Sequence, residues 1–385
     1  MSKDKKKIGI IACWESNRDY GEQLQIWAFQ AFLCSIGYDA FLIRVRMYTN
    51  EPIRCGRLAK ITLSIKKIFA KFLILLTKYN LKNTMSIVET LLGKDWAFRQ
   101  YDRFHNKNII KTNIYNSYLE FTKNHKQADV YVVVGDKIWN VDLSQEKLNM
   151  VFLQFTTPIQ KRISYATCIS YLKTNKLRRN FLLRCLKSFN MISSCDDYTI
   201  NFCKKIGIQC EYVLDATMLL SPNTYNKIIK SKSKYPYIYV YANNFYYMKQ
   251  MPTIENLRNI VKIPNCKCVI TDENENKGNK IEGVTYELPT LPDWLSYIKN
   301  AKLVVTDSFH GIVFSILFHR DFIFTPNYKK NVNYNSRVYT LLHQLGISGR
   351  VWGNIDVECP INWKKVDYNL SLKRRYSISY ILNNL

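Results

Sequence analysis

The sequence predicts an α/β protein of two domains, on three observations. At 385 residues the chain is long for one domain, and two is the natural expectation. Its N-terminal stretch reads strand, loop, helix, strand: an apolar run at 8–13, a polar loop at 14–21, a helix at 22–36 and a second strand at 38–45. The same order recurs near residue 300. Leu303–Thr306 suits a strand buried on both faces, 311–319 a helix, and Phe322–Phe324 the next strand. Between the first two lies Asp307-Ser308-Phe309-His310-Gly311, with turn and N-cap residue types. In an open parallel sheet such a turn sits at the carboxyl end of a strand, where ligands bind. The helix start adds free N–H groups and a positive dipole end, which favour an anion.

The elements follow in order. In the 22–36 helix, Leu24, Trp27, Ala28, Ala31 and Phe32 fit the i, i+3, i+4, i+7, i+8 spacing, and Gly37 stands at the C-terminal cap position. The loop before it lacks GxGxxG, so no dinucleotide is expected. Residues 52–82 change character. Arg54, Arg57, Lys60, Lys66, Lys67, Lys71 and Lys78 interleave with apolar residues at helical spacing. Such a basic amphipathic helix suits an anionic membrane surface, or packing on the domain with a solvated basic face. A further helix is expected within 96–110, and strands at Val130–Val134 and 161–166. Residues 189–194 lead into Cys195-Asp196-Asp197, then a helix at 199–205 closed by Gly207. The polar stretch 221–235 has no apolar periodicity and reads as a linker, dividing the chain into 1–222 and 236–385. Tyr237–Tyr241 opens the second domain, continued by 254–263, 268–271 and 293–302.

Composition narrows the partners. Lys+Arg 56 against Asp+Glu 30 gives +26, an excess that suits an anionic partner or a lysine-rich background. No zinc spacing, RNA-binding aromatic signature or heptad accompanies it, so no nucleic acid is expected. The eleven cysteines are scattered without CxxC, as packed, reduced thiols of a cytoplasmic protein would be. The five histidines lack metal-ligand spacing, and no metal is expected. The apolar run after Lys3–Lys7 is too short for a signal segment and reads as strand one.

Several of these stretches together resemble the polysaccharide pyruvyl transferase family. Asp307-Ser-Phe-His-Gly311 with Phe314-Ser315 is similar to its C-terminal signature, and Tyr20-Gly21…Gln25 to its opening. Lys161…Tyr165-Ala166, Val213-Leu-Asp-Ala-Thr217, Trp139-Asn140, Asn335-Ser-Arg337 and a closing helix at 363–382 extend the likeness from about residue 8 to the end. The chain departs from the pattern at Gly135-Asp136-Lys137, one residue short with Lys for Gln, and at Asp196, where the family usually has Arg.

The resemblance implies two Rossmann-like domains facing across a cleft, similar to the GT-B architecture, with the closing helix packing back on the N-terminal domain. It implies transfer of an enolpyruvyl-derived group from phosphoenolpyruvate to two sugar hydroxyls, giving a pyruvate ketal in surface-polysaccharide biosynthesis, with no cofactor. A polyprenyl-diphosphate-linked sugar is one form of acceptor, and it would give the basic stretch a purpose at the inner face of the cytoplasmic membrane. The donor needs cations and helix N-termini, and the reaction needs a general acid and a base. His310 is expected as the acid–base residue, in the neutral form until the donor binds because a positive helix end lowers its pKa. Asp307 is expected to fix its tautomer or cap the helix, and Asp136 to act as acceptor-side base or turn residue. Ser308, Phe309, Gly311, Arg337, Lys137 and Arg18 are the donor-side candidates. Asn17, Asp19, Tyr20 and Gln23 are the acceptor-side ones. Two other readings stand beside this one: a sugar-nucleotide glycosyltransferase, and a non-catalytic member of an assembly complex.

Overall fold

The computed structural model describes residues 5–15, 19–46, 101–139, 143–169, 176–229, 235–242, 252–263, 265–271, 283–327, 335–353 and 360–385. The basic stretch at 52–82, Asn17 and Arg18 lie outside the described residues.

Two parallel sheets, each flanked by helices, build the chain. The first contains β1 (Lys7–Ile11), β2 (Asp39–Val45), β3 (Lys111–Tyr115), β4 (Val130–Val134), β5 (Lys161–Tyr165), β6 (Met191–Ser194) and β7 (Glu211–Tyr212). Its order is β3-β2-β1-β4-β5-β6-β7. The second contains β8 (Tyr237–Tyr241), β9 (Lys267–Thr271), β10 (Val284–Glu287), β11 (Leu303–Thr306) and β12 (Phe322–Phe324), in the order β10-β9-β8-β11-β12. Both are doubly wound, Rossmann-like sheets, and every pairing is parallel. The central strands are apolar runs such as Val130-Tyr-Val-Val-Val134, buried throughout, because helices cover both faces. In each sheet the order reverses beside the first strand, between β1 and β4 and between β8 and β11. Those switch points are the ligand crevices of such sheets. The loops after β1 and β4 carry Asp19 and Asp136, and the helix that follows the turn after β11 carries His310.

The two domains are clamped together by aromatic packing. Tyr20 opens the first helix, Tyr20–Ser35, and is fully buried. Its ring stacks on Trp294 of the second domain at 5.2 Å and 7°. Its hydroxyl donates to the Pro289 carbonyl at 2.7 Å. Stacked aromatic pairs of this kind add about 0.5–1.5 kcal/mol beyond the area they bury. The Asp197 N–H donates to Thr340 Oγ1 at 3.1 Å, a second tie between the domains.

A closing helix, Trp363–Asn384, runs from the second domain onto the first. At its start Trp363 stacks on His319 at 4.8 Å. Further along, Arg374 Nε donates to the Met218 carbonyl at 2.6 Å, and Tyr380 donates to that of Ile192 at 3.0 Å. The polar stretch after 221 is not wholly irregular. Ser221 and Pro222 start a short helix, Pro222–Asn226, which buries Tyr225.

Candidate active site

The site is built where the first helix of one domain meets the turn after β11 of the other. That turn leads into the site helix, Phe309–Leu317, with Ser308 as its N-cap. Ser308 Oγ accepts from the Gly311 N–H at 3.3 Å, the ordinary role of a capping serine. Gly311 has no room for a side chain: a Cβ there would lie 2.5 Å from Thr306 Oγ1, so only glycine lets the helix sit this close to β11.

His310, the second residue of that helix, is 2% exposed and lies against the first helix of the other domain. A Cβ at Gly21 would stand 1.9 Å from its Nδ1 and 2.1 Å from its Cγ. Gly21 is therefore the bare patch that receives the imidazole, which explains the Tyr20-Gly21 pair. Tyr20 itself serves the domain contact and is buried away from solvent.

The carboxylate that faces His310 from the other domain is Asp215, at 3.7 Å between Oδ1 and Nε2. Asp215 comes from the first domain, just after β7, where it caps a 3₁₀ turn at Ala216–Leu219. Its Oδ1 accepts from the Thr217 N–H at 2.9 Å, and its Oδ2 accepts from the Gln25 amide. Asp307, 4% exposed, precedes the capping serine. The sequence offers a carboxylate partner three positions before His310, and the fold brings a second one, Asp215, from the opposite domain.

This pairing also reverses the expected direction of the His310 shift. Burial pushes its pKa down, but Asp215, followed by Asp136 and Asp19, outweighs burial and raises it above the ordinary histidine value. Burial likewise pushes Asp215 up, and His310, Thr217 and Gln25 together hold it below the carboxylate range. The two shifts run in opposite directions, each group favouring the charged form of the other.

A second cross-domain ion pair lies alongside. Arg337 Nη1 is 2.6 Å from Asp136 Oδ2, and both side chains are buried. The guanidinium also sits 5.4 Å above the Phe309 ring, which in turn is 5.1 Å from the His310 ring. Arg337, Phe309 and His310 therefore form a continuous surface, with Arg337 already neutralised by Asp136. Asp136, expected as a base, is engaged as that counter-ion.

Lys137 turns the other way. Its ammonium contacts Asp19 and lies 3.4 Å from Glu22 Oε1. Burial pushes its pKa down, but these carboxylates raise it, so it stays charged. Asp19 is the N-cap of the first helix, accepting from the Gly21 N–H at 2.9 Å and the Glu22 N–H at 3.2 Å. Burial acts to raise the Asp19 pKa, yet Lys137 and His310 lower it. Gln23, an expected acceptor contact, is fully buried in that helix. A small cavity of about 10 Å³, enough for about one water, lies behind this group, lined in part by Cys13, Glu22, Gln25, Gly135 and Lys137.

Asp196, the departure from the family arginine, caps the helix Asp197–Lys205, accepting from the Thr199 N–H at 2.7 Å. Burial raises its pKa. Two residues of this site were missed as candidates, Asp215 and Gln25. The signal was present: both stand in the family-like stretches Val213–Thr217 and Tyr20…Gln25. No group of three or more His, Cys, Asp or Glu placed to hold a metal occurs among the described residues. No helix among them is long and apolar enough to cross a membrane.

Two Rossmann-like domains thus hold a histidine–carboxylate pair and a buried arginine between them. Residues 19–327 match the family described as polysaccharide pyruvyl transferase, and the chain belongs to that family. No curated protein matches the chain. Among solved structures, it is similar to the UDP-GlcNAc 2-epimerase from Neisseria meningitidis bound to UDP-GlcNAc. Identity there is 11%, over 98% of this chain and 100% of that chain, with a TM-score of 0.49. The UDP-N-acetylglucosamine 2-epimerase from Rickettsia bellii shares 9% over 98% of this chain and 96% of its own, with a TM-score of 0.47. A functionally uncharacterised protein from Klebsiella pneumoniae shares 14% over 66% of this chain and 84% of its own, at 0.37. With TM-scores below 0.5, these likenesses carry no functional argument.

Proposed function

We propose that the chain transfers the enolpyruvyl-derived group of phosphoenolpyruvate to two hydroxyls of a sugar, leaving a pyruvate ketal and inorganic phosphate, in the synthesis of a surface polysaccharide. The observation that carries this reading is His310 facing Asp215 across the domain boundary at 3.7 Å, beside Arg337. The donor's methylene carbon must gain a proton before C2 becomes electrophilic, and an imidazolium is the acid for that step. The first sugar hydroxyl then attacks C2, and the neutral imidazole takes its proton. The C2–O bond to phosphate breaks as the second hydroxyl closes the ketal, and that hydroxyl's proton leaves with phosphate or solvent. Asp215 stays ionised throughout, stabilising each imidazolium stage.

Arg337 and the free N–H groups at the start of the site helix favour the donor's carboxylate or phosphate. Because Arg337 is paired with Asp136 in this structure, donor binding exchanges one carboxylate for another at the same guanidinium. On the opposite wall, Asp19, Glu22 and Lys137 offer charged hydrogen-bond partners to the hydroxyls of a sugar. A polyprenyl-diphosphate-linked sugar belongs among the acceptors to be offered.

The test is phosphate release from phosphoenolpyruvate with a panel of free and polyprenyl-linked sugars, followed by mass analysis. Acceptor-dependent release with a product heavier by one pyruvate ketal supports the reading. Release from a nucleotide-sugar donor in place of phosphoenolpyruvate overturns it.

A further inference from the structure

Asp215 is held more tightly than an ordinary loop carboxylate. The peptide before it is fixed at both ends: Tyr165 donates to the Leu214 carbonyl at 2.8 Å, and the Leu214 N–H donates to Ser377 Oγ of the closing helix at 2.9 Å. Thr217 takes Oδ1. Only Oδ2 needs a partner from outside the turn, and that partner is Gln25, itself 2% exposed. An ionised carboxylate only accepts, so the amide must present its NH₂. Gln25 is one helical turn beyond Gly21, so the same face of the first helix receives both His310 and Asp215.

We propose that Gln25 is a positioning residue, whose amide N–H keeps the Asp215 carboxylate ionised and aimed at His310. The inference rests on His310 and Asp215 being the proton-handling pair. It assigns the glutamine a task that only a neutral donor can perform. Leucine fills the space without donating. Glutamic acid has the same shape but donates only while it carries its proton. A buried glutamate next to an ionised aspartate keeps its proton to higher pH than usual, because two adjacent carboxylates resist ionising together.

The experiment compares Gln25→Glu and Gln25→Leu with the native chain from pH 5 to pH 8, reading kcat, donor KM and Tm. For Gln25→Leu, kcat falls roughly ten- to a hundredfold, the range seen when an outer partner of a functional histidine is removed, with little change in KM and no pH trend relative to the native chain. For Gln25→Glu, relative kcat and relative Tm both approach native values as pH falls and decline as pH rises. Equal, pH-independent losses for both variants, in kcat and in Tm, would overturn the proposal and leave Gln25 as packing. If the native chain turns over no phosphoenolpyruvate, the pyruvyl transfer reading fails, while the Tm comparison still decides whether Gln25 holds Asp215.

Discussion

His310 Nε2 and Asp215 Oδ1 lie 3.7 Å apart, although the two residues belong to different domains. That separation is an ion-pair distance, longer than a direct hydrogen bond, and such contacts in unliganded sites tighten when the reacting group arrives. The relationship makes the pair a property of how the two domains pack together. Neither domain holds it alone.

Asp215→Asn keeps the shape and removes the charge. His310 then loses the partner that raises its pKa, and burial pulls it down. A histidine with a raised folded pKa stabilises fully below its unfolded value, about 6.5, and the contribution is lost as pH rises through the folded value. Asp215, held low, contributes above its unfolded value, about 3.9, and that contribution is lost as pH falls through its folded value. The Tm deficit of Asp215→Asn is therefore expected to be largest near pH 5–6 and to shrink toward pH 9. Thermal unfolding across that range checks it, and a deficit that grows with pH contradicts it.

Gly21→Ala places a Cβ inside the His310 ring, 1.9 Å from Nδ1. Overpacking of this kind costs about 1–3 kcal/mol or more. Two of the three close atoms belong to the ring, so the cost should be smaller in a His310→Ala background. A double-mutant cycle in urea measures this coupling; simple additivity would show that the imidazole does not rest on Gly21.

Arg337 and Asp136 form a buried pair, and removing one partner leaves the other charge uncompensated. Each single change to alanine is expected to cost about 3–5 kcal/mol, with the double change costing much less than the sum. Donor binding separates their roles: Arg337→Ala should abolish phosphoenolpyruvate binding by calorimetry, whereas Asp136→Asn should retain or strengthen it. Equal loss in both variants would mean that Asp136 takes part in binding rather than guarding the guanidinium.

Much of this was legible in the sequence because it is local. The buried runs of β4, β8 and β11 announce a parallel sheet, and the capped turn before Gly311 announces the crevice. β3 escaped notice because Lys111-Thr-Asn-Ile-Tyr115 is polar and only partly buried, so it shows no apolar run. What was not legible is pairing across domains. Asp307 is three positions before His310 in the chain, and Asp215 is 95 positions away from it, a separation bridged by the first helix, with Gly21 against His310 and Gln25 on Asp215. In sequence, Arg337 is the leading candidate cation for the donor and Lys137 a weaker one. The fold sends one to Asp136 beside His310 and the other to Asp19 and Glu22.

The most direct test is phosphoenolpyruvate turnover by His310→Gln, with donor affinity measured in the same samples and the reaction run in deuterated water. The account predicts acceptor-dependent phosphate release by the native chain, with one solvent deuteron in the new methyl group. It predicts that His310→Gln binds donor but turns over at least about 10²-fold more slowly, as the loss of a general acid requires. Turnover by His310→Gln within tenfold of native, with the deuteron still delivered, would contradict it.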